Sequence, residues 1–210
     1  MPAGFFEYDQ FMAVLTRVPE HLRPVLETAH ITGWRVHSEL LTRQKHHPDL
    51  RAGWLRFDPG ETKNNEGPMF PINGRLREIL ETQLAKTQAI QRATGKIIPW
   101  LFHHYGNPIG SFRKTWITAC VAAGFGHVIK NTKGKVIKKV ADRIPHDFRR
   151  TAVRSLERAG VLRSAAMKMV GHKTESIYRR YAIADESMLQ EASEKLVRLH
   201  SADDHFTVGR

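Results

Sequence analysis

Tyr181 closes a series of residues whose types and spacing suit one chemistry. Gly171-His172 lies nine residues before it, His146-Asp-Phe-Arg149 stands earlier, and Arg35 sits near the start inside Thr32-Gly-Trp-Arg-Val-His-Ser-Glu39. Lys63 falls in the turn segment Glu61-Thr-Lys-Asn-Asn-Glu-Gly. Two arginines, a lysine, two histidines and a late tyrosine fit attack of a phenolic oxygen on a DNA phosphodiester. The phosphodiester is anionic, and attack loads further charge onto its non-bridging oxygens. Guanidinium groups hold such charge because they are planar, permanently positive and able to bind two oxygens at once. Arg35 and Arg149 are the candidates. A tyrosine hydroxyl ionises near pH 10, so attack at neutral pH needs a base as the bond forms. His146, three residues before Arg149 and on the same face at a helix start, titrates near neutrality and can take or return that proton.

With 12 histidines in the chain, a His-x-x-Arg pair means little alone; the order and spacing of the whole set carry the reading. The stretch Ile144-Pro-His-Asp-Phe-Arg-Arg-Thr-Ala-Val-Arg-Ser-Leu156, continued through Gly171-His-Lys-Thr174 to Arg180-Tyr181, resembles the C-terminal motif block of the tyrosine recombinases, or phage-type integrases. The likeness extends to Thr32–Glu39 and Thr62-Lys63-Asn64, and so over most of residues 5–199. It implies a mainly α catalytic domain with a small antiparallel sheet that cuts and rejoins DNA through a covalent 3′-phosphotyrosine. No metal, cofactor or ATP is expected, because the phosphotyrosine retains the bond energy. Within the resemblance Tyr181 is the nucleophile and Tyr178, three residues away, a packing residue. Lys63 is the general acid for the departing 5′-hydroxyl, and His172 donates a hydrogen bond to a non-bridging oxygen. Glu39, four residues after Arg35, buttresses that arginine. Asp147 reads as an acid favoured by the helix N-terminal dipole, not as a catalyst.

Composition agrees with a nucleic-acid partner. The 210 residues carry 33 basic and 21 acidic side chains, a net charge of +12, which favours a polyanion. No run of 18 apolar residues exists to span a membrane, and the start shows no basic segment followed by an apolar stretch. Cys120, the lone cysteine, reads as a small buried apolar residue, which points to a reducing cytoplasm; the resemblance implies a bacterial or phage-encoded, nucleoid-associated protein. His46-His47 and His103-His104 lack the spacing of a ligand set and read as surface or structural histidines.

Apolar spacing predicts helices over about 8–18, 21–32, 35–41, 74–93, 110–123, 146–159 and 163–170, then one through Ile177 to Tyr181 and one over 186–199. Gly33, Gly160 and Gly171 are placed to end helices. Ala52–Gly60 and Pro68–Ile72 read as paired strands with Lys63 between them. Residues 125–143 read as a basic hairpin or a loop insertion: two Val-Ile arms flank a Gly-containing turn, with Lys130, Lys133, Lys135, Lys138 and Lys139 as candidate DNA contacts and no acid among them. The expected organisation is one catalytic domain over 1–200 with a flexible tail over 201–210. The first helix begins so near Met1 that the N-terminal clamp domain of the resembled family is expected to be absent.

The expected partner is double-stranded DNA. Met188, Leu189, Ala192, Leu196 and Leu199 form an apolar stripe that the resemblance assigns to docking on a neighbouring protomer, giving a homotetramer on synapsed DNA. Two other readings stay open here: a type IB topoisomerase using nearly the same residues, and a DNA-binding integrase remnant without catalysis.

Overall fold

The computed structural model describes residues 5–58, 60–61, 67–182 and 186–207. Lys63 therefore lies outside the described residues. Helix α1 (Tyr8–Leu15) buries Phe11, Val14 and Leu15, and α2 (Arg23–Thr32) buries Val25, Leu26 and Ala29, the spacing that puts side chains on one helical face. A π-helical turn, Val36–Leu40, stands where the sequence suggests a short helix. Three short strands follow in an antiparallel sheet of order β1-β2-β3: β1 (Pro48–Asp49), β2 (Trp54–Arg56) and β3 (Met69–Pro71). Leu55 pairs with Phe70 across β2 and β3, and both are buried. Strand β1 gave no sequence signal, being two residues long.

Helix α3 (Gly74–Thr94) leads to a second small pair, β4 (His103–His104) and β5 (Asn107–Pro108), also unanticipated. Here His103 is structural. Its Nδ1 accepts from the Gly106 N–H, so its Nε2 donates to Thr87 Oγ1 at 2.9 Å. Helix α4 (Arg113–Ala122) buries Cys120, whose thiol is pushed up to about 12, chiefly by burial, and is inert as a nucleophile. Residues 125–143 resolve as a hairpin and not a loop: β6 (Gly126–Lys130) pairs with β7 (Val136–Ala141). Its turn is closed by Asn131 Oδ1, which accepts from the Lys133 and Lys135 N–H groups.

Helices α5 (Asp147–Arg158), α6 (Arg163–Val170), α7 (Glu175–Arg179) and α8 (Glu186–Thr207) complete the chain. Phe148 holds α5 in the main core, its ring within 5.4–5.6 Å of Phe6, Phe11 and Trp116; such pairs contribute roughly 0.5–1.5 kcal/mol each beyond their burial. A smaller cluster of Val153, Ala166, Val170 and Tyr178 joins α5, α6 and α7. Helix α8 runs through Thr207 where a tail was expected, because Ser201–Thr207 contains neither glycine nor proline to stop it. Leu189, Leu196 and Leu199 are exposed along it, so the described part of the stripe is not absorbed by the domain's own core. No helix among the described residues is long and apolar enough to cross a membrane.

Candidate active site

Two helix ends meet at α5. Helix α2 stops at Gly33, whose backbone is left-handed at φ +69°; a Cβ there would lie 2.8 Å from Ala152 Cβ and 3.5 Å from Arg149 Cα. Only glycine permits both the turn and the approach. Trp34, buried, fastens the next residue by donating its indole N–H to the Met169 carbonyl of α6 at 2.8 Å. Gly33→Ala is expected to lower Tm by roughly 4–10 °C, from about 2–3 kcal/mol of backbone strain and displaced packing. A thermal melt within about 2 °C of wild type would show that the approach of α2 to α5 is slack.

Arg35 opens the π-helical turn and is about half exposed. Glu39 accepts from its Nη1 through one carboxylate oxygen and from its backbone N–H through the other, both at 2.6 Å. That second oxygen also accepts from Arg149 Nη1 at 3.3 Å. Glu39 therefore bridges the two arginines.

Arg149 differs from Arg35. It is 2% exposed, and it donates to His172 Nε2 at 2.8 Å, the Gly33 carbonyl at 3.0 Å, Glu39 at 3.3 Å and the Gly171 carbonyl at 3.3 Å. Four bonds engage most of the five N–H groups a guanidinium carries. The sequence reading treated the arginines as equal phosphate ligands; the fold makes Arg149 the hub and leaves Arg35 facing solvent.

The hub fixes His172. Arg149 Nε can only donate, so His172 Nε2 accepts and the ring proton sits on Nδ1. Burial first, then the positive charges of Arg149 and Arg35, lower its pKa to about 4, so the ring is neutral at pH 7. Its buried Nδ1 has no hydrogen-bond partner among the described residues. Gly171, left-handed at φ +71° and close against Pro68, sets the turn that delivers it.

His146 occupies the residue before α5. Its Nε2 lies 3.2 Å from the Tyr181 hydroxyl oxygen. Burial, then Arg35 and Arg149, hold its pKa below the usual histidine value against the opposing effect of Asp147. Asp147 itself closes the preceding turn, accepting from the Ile144 N–H at 2.9 Å. The Tyr181 ring stacks on His172 with centroids 4.9 Å apart. Tyr178 points the other way: it is fully buried, and burial raises its hydroxyl pKa.

The fold thus brings Arg35, Glu39, His146, Arg149, His172 and Tyr181 together. A cleft of about 660 Å³ opens beside them, lined by Arg35 and His146 and by Lys138 and Lys139 of the hairpin. Lys130, Lys133 and Lys135 are exposed on the hairpin but do not line it. Arg113 and Arg143 do, and sequence reasoning missed both. Arg143 directly precedes the Ile144-Pro-His run, a signal that was available; Arg113 opens α4 and carried none.

The profile of the phage integrase family matches residues 5–188. No curated protein matches the chain. Among solved structures, XerA recombinase superposes with a TM-score of 0.64 at 16% identity, covering 91% of this chain and 62% of its own. The Tn1549 transposon integrase in complex with transposon right-end DNA gives 0.67 at 15% identity, covering 94% of this chain and 67% of its own. The catalytic domain of bacteriophage HP1 integrase gives 0.54 at 16% identity, covering 91% and 94%. At these identities the likeness is one of fold. The chain spans less than two thirds of the XerA chain.

Proposed function

Since the chain belongs to the phage integrase family, we propose that it cuts and rejoins duplex DNA through a covalent bond between Tyr181 and a 3′-phosphate. The observation that carries this reading is the 3.2 Å approach of His146 Nε2 to the Tyr181 hydroxyl, beside a hub that joins both arginines and His172. In the proposed step the Tyr181 oxygen bonds to phosphorus as His146 takes its proton. The bond from phosphorus to the 5′-oxygen breaks, and Lys63 protonates that oxygen. Arg35 grips the non-bridging oxygens with the donors Glu39 leaves it, and His172 donates to one of them once its ring turns to bring the buried Nδ1–H outward. Arg149 holds these groups in register and offers its remaining N–H. Reversal by a 5′-hydroxyl rejoins the strand.

The proposed partner is double-stranded DNA, held at the cleft by Lys138 and Lys139 and along the hairpin by Lys130, Lys133 and Lys135. A net charge of +12 makes such binding largely phosphate-directed, so affinity falls steeply with added salt. Lambda integrase forms a tetramer on a Holliday junction, and the exposed Leu189, Leu196 and Leu199 of α8 support a similar association here. Truncation after Ala184 should then spare cleavage and abolish strand exchange between two duplexes; exchange that survives truncation removes α8 from the assembly.

The direct test uses a pool of nicked suicide duplexes randomised around the scissile phosphate. An adduct resistant to denaturant is expected. Lys63→Ala should lose it on ordinary DNA and regain it on a 5′-bridging phosphorothiolate, because sulfur departs without a proton. Equal loss on both substrates removes Lys63 from the acid role. DNA binding with no adduct anywhere in the pool would favour a non-catalytic DNA-binding protein.

The base role of His146 predicts a pH profile. Only neutral imidazole accepts the phenol proton, and the pKa of His146 lies below 6.5. The acid limb of single-turnover cleavage should have its midpoint below 6.5, with the rate falling by up to about tenfold per unit beyond it. An acid limb with its midpoint above 6.5 contradicts the assignment.

A further inference from the structure

Away from the reacting groups, a buried imidazole nitrogen faces oxygen and nitrogen donors at the root of the β1-β2-β3 sheet. His47 is 4% exposed, and its Nε2 has no hydrogen-bond partner among the described residues. Asp58 Oδ2 lies 3.5 Å from that nitrogen and 3.0 Å from His46 Nε2, and Glu61 Oε2 lies 3.4 Å from His47 Nε2. The three donors of His46, His47 and Asp58 lie within 4.8 Å of one another. Ligands held about 2.0–2.2 Å from a tetrahedral zinc ion are separated by roughly 3.3–3.6 Å, which the two Asp58 spacings approach.

The geometry points to a structural site for a late first-row divalent cation, with Zn²⁺ its natural occupant, formed by His46 Nε2, His47 Nε2 and Asp58 Oδ2. Two imidazoles and one carboxylate are a borderline donor set, which selects zinc over magnesium or calcium. Glu61 stays with Arg43, which donates to both its oxygens, so that pair neutralises the nearest positive charge and water fills the fourth metal position. His47 Nδ1 accepts from the Gln44 N–H at 2.8 Å, which leaves the ring proton on Nε2, and it lies 3.2 Å from the Gln44 carbonyl. Metal binding at Nε2 displaces that proton, and a small turn of the ring from the Gln44 N–H towards the Gln44 carbonyl lets Nδ1–H donate there, the usual support for a metal-bound histidine.

The sheet register makes the site. Pro48 pairs with Leu55, so continuing that register sets His47 and His46 opposite Arg56 and Phe57, and Asp58 comes next along the chain. Adjacent histidines alone carry no ligand signal; the third donor stands eleven residues further along the chain. The ion would tie both strands at the start of the segment that leads, five residues after Asp58, to Lys63. It takes no part in the reaction, and the inference does not depend on the recombination reading.

The test is Zn²⁺ binding by the metal-stripped full chain, read by competition with a chromogenic chelator. One equivalent should bind, and added Zn²⁺ should raise Tm. His46→Ala and Asp58→Asn alter half-exposed side chains, so the metal-free Tm should hold while affinity drops at least about tenfold in each. His104→Ala, at the other histidine pair, should bind like wild type. A wild-type chain that takes up no stoichiometric Zn²⁺ overturns the site. So does stoichiometric binding that survives in the His46→Ala, Asp58→Asn double variant.

Discussion

Tyr181→Phe should abolish covalent attachment to DNA while leaving the fold and duplex binding in place. The substitution removes one oxygen, the atom 3.2 Å from His146 Nε2, and keeps the ring stacked on His172. The neighbouring Tyr178 cannot replace it. Tyr178 is fully buried among Val153, Ala166 and Val170, and its hydroxyl is harder to ionise than a free tyrosine's. The loss should be on the order of 10⁴-fold or more, as for other enzymes deprived of their nucleophile. Tyr178→Phe should retain the adduct and change stability by about 1 kcal/mol at most. Denaturing gels of suicide-substrate reactions, with melting curves for each variant, decide the matter. An adduct that persists in Tyr181→Phe and vanishes in Tyr178→Phe transfers the role to the inner tyrosine.

The sequence made Arg35, His146 and His172 of the proposed reacting set legible because each sits at an element boundary with its own marker. Gly33 precedes Trp34-Arg35, Gly171 precedes His172, and His146 opens an amphipathic helix, so spacing along the chain translated into position. What it did not reveal depends on three-dimensional approach. Nothing local distinguishes Arg149 from Arg35; the difference arises because α2 comes close enough at Gly33 to bury Arg149 under two carbonyls. The hairpin was legible as a Val-Ile palindrome around a turn, but its lysines looked alike. Position along the hairpin separates them: Lys138 and Lys139, on β7 nearer its base, line the cleft, and the three nearer the turn do not. Strands of two residues, such as β1 and β4, are too short for alternation to be seen. Helix α8 runs beyond its apolar stripe through a stretch that holds neither glycine nor proline to stop it.

Arg35→Ala and Arg149→Ala should both disable cleavage, but only the second should cost much of the fold. Arg35 is half exposed and its ion pair lies within one helical turn, so its loss should change stability by less than about 1 kcal/mol. Removing a group that stabilises developing charge should slow single-turnover cleavage by roughly 10²–10³-fold. Arg149→Ala instead empties a buried position. It strands the carbonyls of Gly33 and Gly171, frees His172 Nε2, and leaves Glu39, whose side chain is 13% exposed, with one arginine where it had two. Breaking a buried pair from one side costs about 3–5 kcal/mol, or roughly 10 °C or more in Tm for a chain of this size. Arg149→Lys should recover little, since a single ammonium cannot span acceptors arranged around a planar fork. Thermal melts and single-turnover rates on the same preparations separate the two roles. An Arg149→Ala protein that melts within about 2 °C of wild type yet fails to cleave would make Arg149 a phosphate ligand and not the hub.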